Sequence, residues 1–300
     1  MAGLADAAKE LVRPPFANYD VVVYFGCGLF SLPFVFHYVA SPKDAGFLAL
    51  EVSTGVPFAD SAIKTLFALF AVYILGHLLA FLSSLLVEKT VHVLLGKISD
   101  ASILGYRRRD LGSFSEIKDW VRRRWILAWR KGSRSRSAIR LLFFVPVVPS
   151  FLLAYAIKWF GYFSSRIPTA VYDRITERLR TLDLPTPGLT RAWYKAAEHY
   201  VISNDPAALP RMYNYLVIGG LFRSLTFLFA CCAWMELARL LGAFYQDSFL
   251  YDTISDLGPL AKLGLYNLLF AFSFTSYVKF SRRYAEEMLF SFALREVPRS

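Results

Sequence analysis

Between Thr65 and Val87 the chain runs for twenty-three residues without an Asp, Glu, Lys or Arg. At the rise of an α-helix such a run is long enough to cross the roughly 30 Å hydrocarbon core of a bilayer with some tilt, and it is closed by the pair Glu88-Lys89. A large soluble core is the competing explanation for so many apolar residues. The distribution argues against it. The chain is 56% hydrophobic and 17% aromatic, its mean hydropathy is +0.40, and its 19% of charged residues fall between the apolar blocks. Soluble domains are less apolar than this and mix the two classes. The expected fold is therefore an all-α polytopic membrane protein.

Four further blocks surround the central one. The first span covers about 21–40 and holds Gly26, Gly28 and Pro33, which membrane helices tolerate because neighbouring groups re-satisfy the backbone. Leu141–Phe163 is hydrophobic but contains Pro146, Pro149 and Lys158, and Arg140 and Arg166 flank it. It either crosses or dips in and returns. The block Tyr213–Tyr245 is interrupted by Arg223, Glu236 and Arg239, and the last, about 263–278, is short and contains Asn267. The preferred arrangement has four transmembrane helices, with five as the alternative. Residues 1–88 form an N-terminal hairpin with spans at about 21–40 and 65–87. Residues 89–212 form a basic cytoplasmic segment, and 213–300 a second hairpin with spans at about 224–245 and 263–278 and a juxtamembrane tail. Met1 to Tyr19 shows no small-residue cleavage site at signal-peptide distance, so the first block reads as a retained anchor.

Orientation follows from Lys and Arg in short flanking loops, since acidic residues count for little in that rule. Between Glu88 and Leu141 there are fourteen Lys/Arg against four Asp/Glu. The loop between the first two spans offers only Lys43 and Lys64, and 246–262 only Lys262. The middle segment is expected in the cytoplasm. With Leu141–Phe163 re-entrant, both termini join it there, in a bacterial inner membrane.

Surface helices are expected at 115–129, Thr169–Thr181 and 190–201. The run Leu184-Pro185-Thr186-Pro187-Gly188 separates the last two, and Asn204-Asp205-Pro206 with Pro210 ends the third.

Polar residues inside apolar blocks are the functional candidates. His77, Ser84 and Glu88 are spaced by seven and four residues, so at helical pitch they lie within about 40° of one stripe. An ionisable group in a membrane helix is costly and usually faces the bundle interior. His77 is read either as a relay, pore-lining or ligand-contacting group, or as an interhelical hydrogen-bonding residue. Arg223 is expected to snorkel to the cytoplasmic interface, with the crossing starting near Ser224. Glu236 and Arg239, three apart, are expected to pair on one face, which lowers the cost of desolvating either.

The net charge of +11 is concentrated in the middle segment. Arg107, Arg108, Arg109, Arg122, Arg123, Arg124, Arg130, Lys131, Arg134 and Arg136 are interleaved with Trp120, Trp125 and Trp129. Cations beside a membrane attract anionic headgroups at about 1 kcal/mol each, and Trp anchors at the interface. A lipid bilayer with anionic headgroups is thus the expected partner, with a further copy of the chain and a cytoplasmic protein as additional ones. Nucleic acid is the alternative ligand of this segment, though no RNP motif, GXXG loop, zinc knuckle or P-loop accompanies it.

No catalytic residue, cofactor or metal site is predicted. The chain has no H-E-x-x-H, G-x-S-x-G, G-x-G-x-x-G, Walker A or CxxC pattern. Cys27, Cys231 and Cys232 lie in apolar blocks and read as packing residues. His77 with Ser83 or Ser84 makes no nucleophile–base pair, because on one helix they are about 9–11 Å apart along the axis.

Through Tyr73-Ile74-Leu75-Gly76-His77, Ser83-Ser84 and Glu88, then Arg223-Ser224-Leu225 and the tail Tyr277–Tyr284, the chain resembles uncharacterised bacterial multi-pass inner-membrane proteins of the kind found in anti-phage defence loci. The resemblance implies a membrane effector or sensor without assigned enzymatic activity. Together with the intramembrane polar residues it leads to an expected oligomeric pore or partner-gated channel component. The alternatives are a membrane anchor that recruits a soluble or nucleic-acid-bound partner through the basic segment, and a membrane enzyme of unrecognised type.

Overall fold

The computed structural model describes residues 19–38, 57–94, 139, 142–156, 167–184, 192–245 and 258–294, and the basic candidates Arg107 to Arg136 lie outside this set. Every regular element among the described residues is helical. A π-helical stretch, Asp20–Gly26, leads into α1 (Cys27–Tyr38). Next, α2 (Pro57–Ser83) runs through a π turn at Ser84–Glu88 into α3 (Lys89–Leu94). A 3₁₀ turn at Val145–Val147 precedes α4 (Val148–Ala156). Then come α5 (Thr169–Thr181), α6 (Ala192–Asn204), α7 (Leu209–Tyr245) and α8 (Pro259–Leu294).

The protein is an all-α membrane protein. Among the described residues, Asp20–Tyr38, Phe58–His92 and Leu209–Gly242 are long and apolar enough to cross a bilayer. The fourth expected span lies within α8, which is long enough but more dilute, because Lys262, Asn267 and a group of hydroxyl residues from Ser273 to Ser276 interrupt it. The helix that carries the second span extends back to Pro57. One Asp and one Lys near its start, Asp60 and Lys64, do not stop a helix whose backbone bonds are all internal. The described apolar helix Leu142–Leu153 is shorter than a bilayer needs.

Two compact units are present. The first gathers Met1–Val87, Phe143–Pro149 and Gly220–Ser273, so in it the spans of the two terminal hairpins come together. Its α1 and α2 meet backbone to backbone. A Cβ on Gly28 would fall 1.9 Å from the Val72 carbonyl oxygen, and one on Gly76 would fall 1.7 Å from that of Tyr24. Lipid tails supply no hydrophobic drive between helices, so close approach through small residues is what joins them. The opposite side of α2 is lined by exposed Leu66, Phe70, Ile74, Leu78 and Phe81, as a lipid-facing surface would be. The hydroxyls of Ser31, Ser83 and Ser84 bond back to carbonyls of their own helices, to Gly28, Ala80 and Phe81 respectively. Such local bonds keep a hydroxyl satisfied in an apolar setting.

The second unit gathers Glu88–Leu142, Ser150–Gly219 and Phe274–Ser300. It has a core of its own, built from Ile175 and Leu179 of α5, Trp193, Ala197 and Val201 of α6, Met212 of α7, and Met288, Leu289 and Phe292 of α8. Helix α5 is amphipathic, burying Ile175, Arg178 and Leu179 and exposing Asp173, Arg174, Glu177 and Arg180. It stops at Asp183, whose φ is 53°, with Leu184 N–H donating to Leu179 O at 2.8 Å and Asp183 N–H to Arg180 O at 3.1 Å. That is a Schellman closure, and Pro185 follows it. At the start of α7 the Asp205 carboxylate accepts from Ala207 and Ala208 N–H.

The buried Arg178 lies between the rings of Tyr200 and Phe292 and donates to Phe292 O at 2.6 Å and to the Tyr200 hydroxyl at 3.3 Å. Phe292 O belongs to the last turn of α8, where carbonyls lack intrahelical partners and a cation is favoured. Tyr284 donates a hydrogen bond to Glu198, and burial, then this bond, push its phenol well above the usual range.

The glycine contact gives a direct test. Replacing Gly76 by Ala drives a methyl group into backbone, where neither side can yield cheaply, and the loss of stability is expected near the upper end of the overpacking range, about 3 kcal/mol. Gly242 has nothing within 4 Å of its built Cβ, so Gly242→Ala is expected to be neutral or stabilising by up to about 1 kcal/mol. Unfolding of both variants in mild detergent checks the contrast.

Candidate functional site

In the first unit a polar cluster joins three helices. Glu236 of α7 is completely buried, in a segment whose neighbours Cys232 and Ala233 are also buried. Its Oε1 accepts from the Tyr38 hydroxyl, at the end of α1, at 2.6 Å, and from Arg239 Nη1 at 3.3 Å. The Tyr38 and Tyr266 hydroxyl oxygens are 2.8 Å apart, which brings in α8. A hydroxyl has one proton to give. With Tyr38 donating to the carboxylate, Tyr266 is the donor in the Tyr–Tyr bond. The Arg239 guanidinium also lies 4.7 Å from the Tyr38 ring centroid, within cation–π range.

The two carboxylate oxygens are treated unequally. Both donors reach Oε1, whereas Oε2 is buried and has no hydrogen-bond partner among the described residues. An unmatched oxygen of a charged group in a low-dielectric interior is expensive, and burial without pairing is avoided elsewhere in folded proteins. Charge-assisted bonds to Tyr38 and Arg239 offset part of that cost.

Within one helical turn of this cluster, the same two helices hold a break in the backbone. The 3₁₀ turn at Val145–Val147 and the prolines Pro146 and Pro149 leave carbonyls without intrahelical donors. Trp234 Nε1 donates to Phe143 O at 2.9 Å, and Asn267 Nδ2 donates to Pro146 O at 3.1 Å and to Leu263 O at 2.9 Å. Phe143 stacks on Phe227 and Phe144 meets Phe270 edge-on, so the segment is held by rings as well as by its carbonyls. Asn267, which weakens α8 as an apolar span, is thus used to satisfy the broken segment.

The sequence candidates are distributed differently from the expected stripe. His77 is half-buried, stacked on Tyr24 at 3.6 Å and edge-on to Tyr73 at 4.5 Å, beside the Gly76 contact. Ser84 bonds back to its own helix, and the residue that turns inward is Ser83, whose Oγ accepts from Arg223 Nε at 3.2 Å. Glu88 does not stay on the stripe, because the π turn Ser84–Glu88 takes more residues per turn than an α-helix. Glu88 lies 3.9 Å from His92. Arg223 sits half-buried in α7, beside Ser83.

Nothing in the sequence marks Tyr38, Tyr266 or Trp234 as site residues. Tyrosines and tryptophans in apolar blocks look like core or interface anchors until a partner is seen. No group of three or more His, Cys, Asp or Glu residues placed to hold a metal ion occurs among the described residues, and all three cysteines are free thiols. Comparison of the chain with protein-family models, curated proteins and solved structures finds no match.

The stacked position of His77 separates two roles by substitution. His77→Phe keeps an aromatic face against Tyr24 and is expected to change stability by less than about 0.5 kcal/mol, whereas His77→Ala loses the ring pair and about 1 kcal/mol. Neither change is expected to alter ion permeability of reconstituted vesicles. A loss of permeability in His77→Phe with unchanged stability would return His77 to the polar path.

Proposed function

We propose that the chain is a non-enzymatic membrane effector or sensor, an oligomeric pore or partner-gated channel component of the bacterial inner membrane, acting in anti-phage defence. The observation that carries this reading is Glu236, a completely buried acid in a membrane-spanning helix with one carboxylate oxygen unmatched among the described residues. Ionisable groups inside membrane helices are rare and mark ion paths, relays and switches. Here the acid is also the point at which α1, α7 and α8 are fastened together through Tyr38 and Tyr266. Releasing it frees three helices at once.

The broken segment around Pro146 supports the same reading. Non-helical backbone in membrane proteins is tolerated where it is buried in protein or lines an aqueous cavity, and re-entrant elements of channels are built this way. The distribution of Lys and Arg supports a reading in which 89–140 and both termini face the cytoplasm. The basic segment would there meet anionic headgroups, with a cytoplasmic protein as the gating partner. Further copies of the chain would pack on the exposed apolar side of α2.

The test is ion leakage from vesicles containing anionic lipid. Wild-type protein should leak little at rest, and Glu236→Gln, which removes the charge that holds Arg239, should raise the basal rate about tenfold, corresponding to about 1.4 kcal/mol of closed-state stabilisation. If inserted wild-type and Glu236→Gln protein both leave the vesicles as tight as lipid alone, the pore reading fails and the anchor reading takes its place.

A further inference from the structure

We propose that Glu236 is a proton-binding site, and that the ligand that opens the three-helix fastening is a proton taken up at its Oε2. This inference deepens the gated-channel reading and rests on it only for the consequence of opening.

The argument starts from the asymmetry of the carboxylate. If Glu236 were only a fixed negative post, donors would be expected on both oxygens, since each carboxylate oxygen accepts more than one bond. Instead Tyr38 and Arg239 share Oε1, and Oε2 is buried without a hydrogen-bond partner among the described residues. A proton can be added at Oε2 without displacing either donor. The cluster then gains one positive charge, and Oε1 becomes the carbonyl oxygen of a neutral acid. Its bond to Tyr38 persists as a neutral hydrogen bond, while its attraction for Arg239 drops to that between a dipole and a charge.

The surroundings set the direction of the response. From α1, His37 and Tyr38 face the acid; from α7, Cys232 and Arg239; and from α8, Tyr266, while Lys262 of α8 acts on His37. The packed segment Phe143–Pro149 contributes no titratable side chain. With Glu236 charged, the anion faces Arg239 and holds Tyr38 through a charge-assisted bond. Protonated, it leaves Arg239 without that anion and replaces the bond from Tyr38 by a neutral one about half as strong, which loosens the joint of α1, α7 and α8. Tyr38 is half-buried and lies edge-on to the exposed His37.

Infrared difference spectroscopy of the full chain in vesicles, recorded as the pH is lowered, tests this without reference to leakage. A protonated-carboxyl carbonyl band should grow in the wild type, should be lost in Glu236→Gln, and should move to higher frequency in Tyr38→Phe, which removes the bond to Oε1. If Glu236→Gln fails to fold, the shift in Tyr38→Phe carries the test. The absence of any carboxyl band that responds to either substitution, across the pH range in which the protein stays folded, overturns the proposal. A Glu236-dependent band without leakage would support the proton site and count against the pore. Leakage that rises in Glu236→Gln with no such band would support the pore and remove the proton.

Discussion

Everything in the first unit is organised around the difficulty of keeping a carboxylate in an apolar interior. A buried charge must be paired and hydrogen-bonded or it neutralises, and breaking such a pair by removing one partner costs more than never having built it. Glu236 meets this constraint by drawing a hydroxyl from the end of α1, a guanidinium one turn along α7, and indirectly a second hydroxyl from α8. Three helices that are distant in sequence are thereby fixed at one level. Nonpolar packing alone would leave them free to slide, because in lipid no hydrophobic gain accompanies a particular register.

The same economy governs the rest of the unit. Gly28 and Gly76 let α1 and α2 touch along their backbones, and the aromatic pair Tyr24 and His77 fills the space beside that contact. Where the helix breaks near Pro146, Trp234 and Asn267 supply the donors that the backbone has lost. Among the described residues, Asn267 and Ser83 complete a neighbour's hydrogen bonds, Ser31 and Ser84 bond back to their own helices, and Glu236 keeps one carboxylate oxygen unmatched. The second unit is different in character. It has an amphipathic helix, a Schellman closure, and an Arg178 that donates to the Phe292 carbonyl in the last turn of α8.

Much of this was legible in the residues. The uncharged run Thr65–Val87 fixes the membrane class, Leu184-Pro185 and Asp205-Pro206 mark helix ends, and Glu236 with Arg239 is a three-residue spacing that needs no structure to interpret. What was hidden depends on contacts between remote segments. Tyr38 and Tyr266 lie 228 positions apart, and each reads as an ordinary membrane aromatic until the other is beside it. The choice of Ser83 over Ser84 turns on about 100° of helix rotation, which one run of apolar residues all around the helix does not specify. Glu88 left the predicted stripe because a π turn, which no local pattern announced, changed the pitch at Ser84.

The central claim is that Tyr38 and Glu236 act as one fastening rather than as two separate packing residues. A double-mutant cycle of Tyr38→Phe and Glu236→Gln, followed by unfolding in mild detergent, measures their coupling directly. The account predicts an interaction energy of about 2 kcal/mol, in the range of hydrogen bonds to charged groups. Additivity of the two substitutions within about 0.5 kcal/mol, as for residues that share no contact, would contradict it.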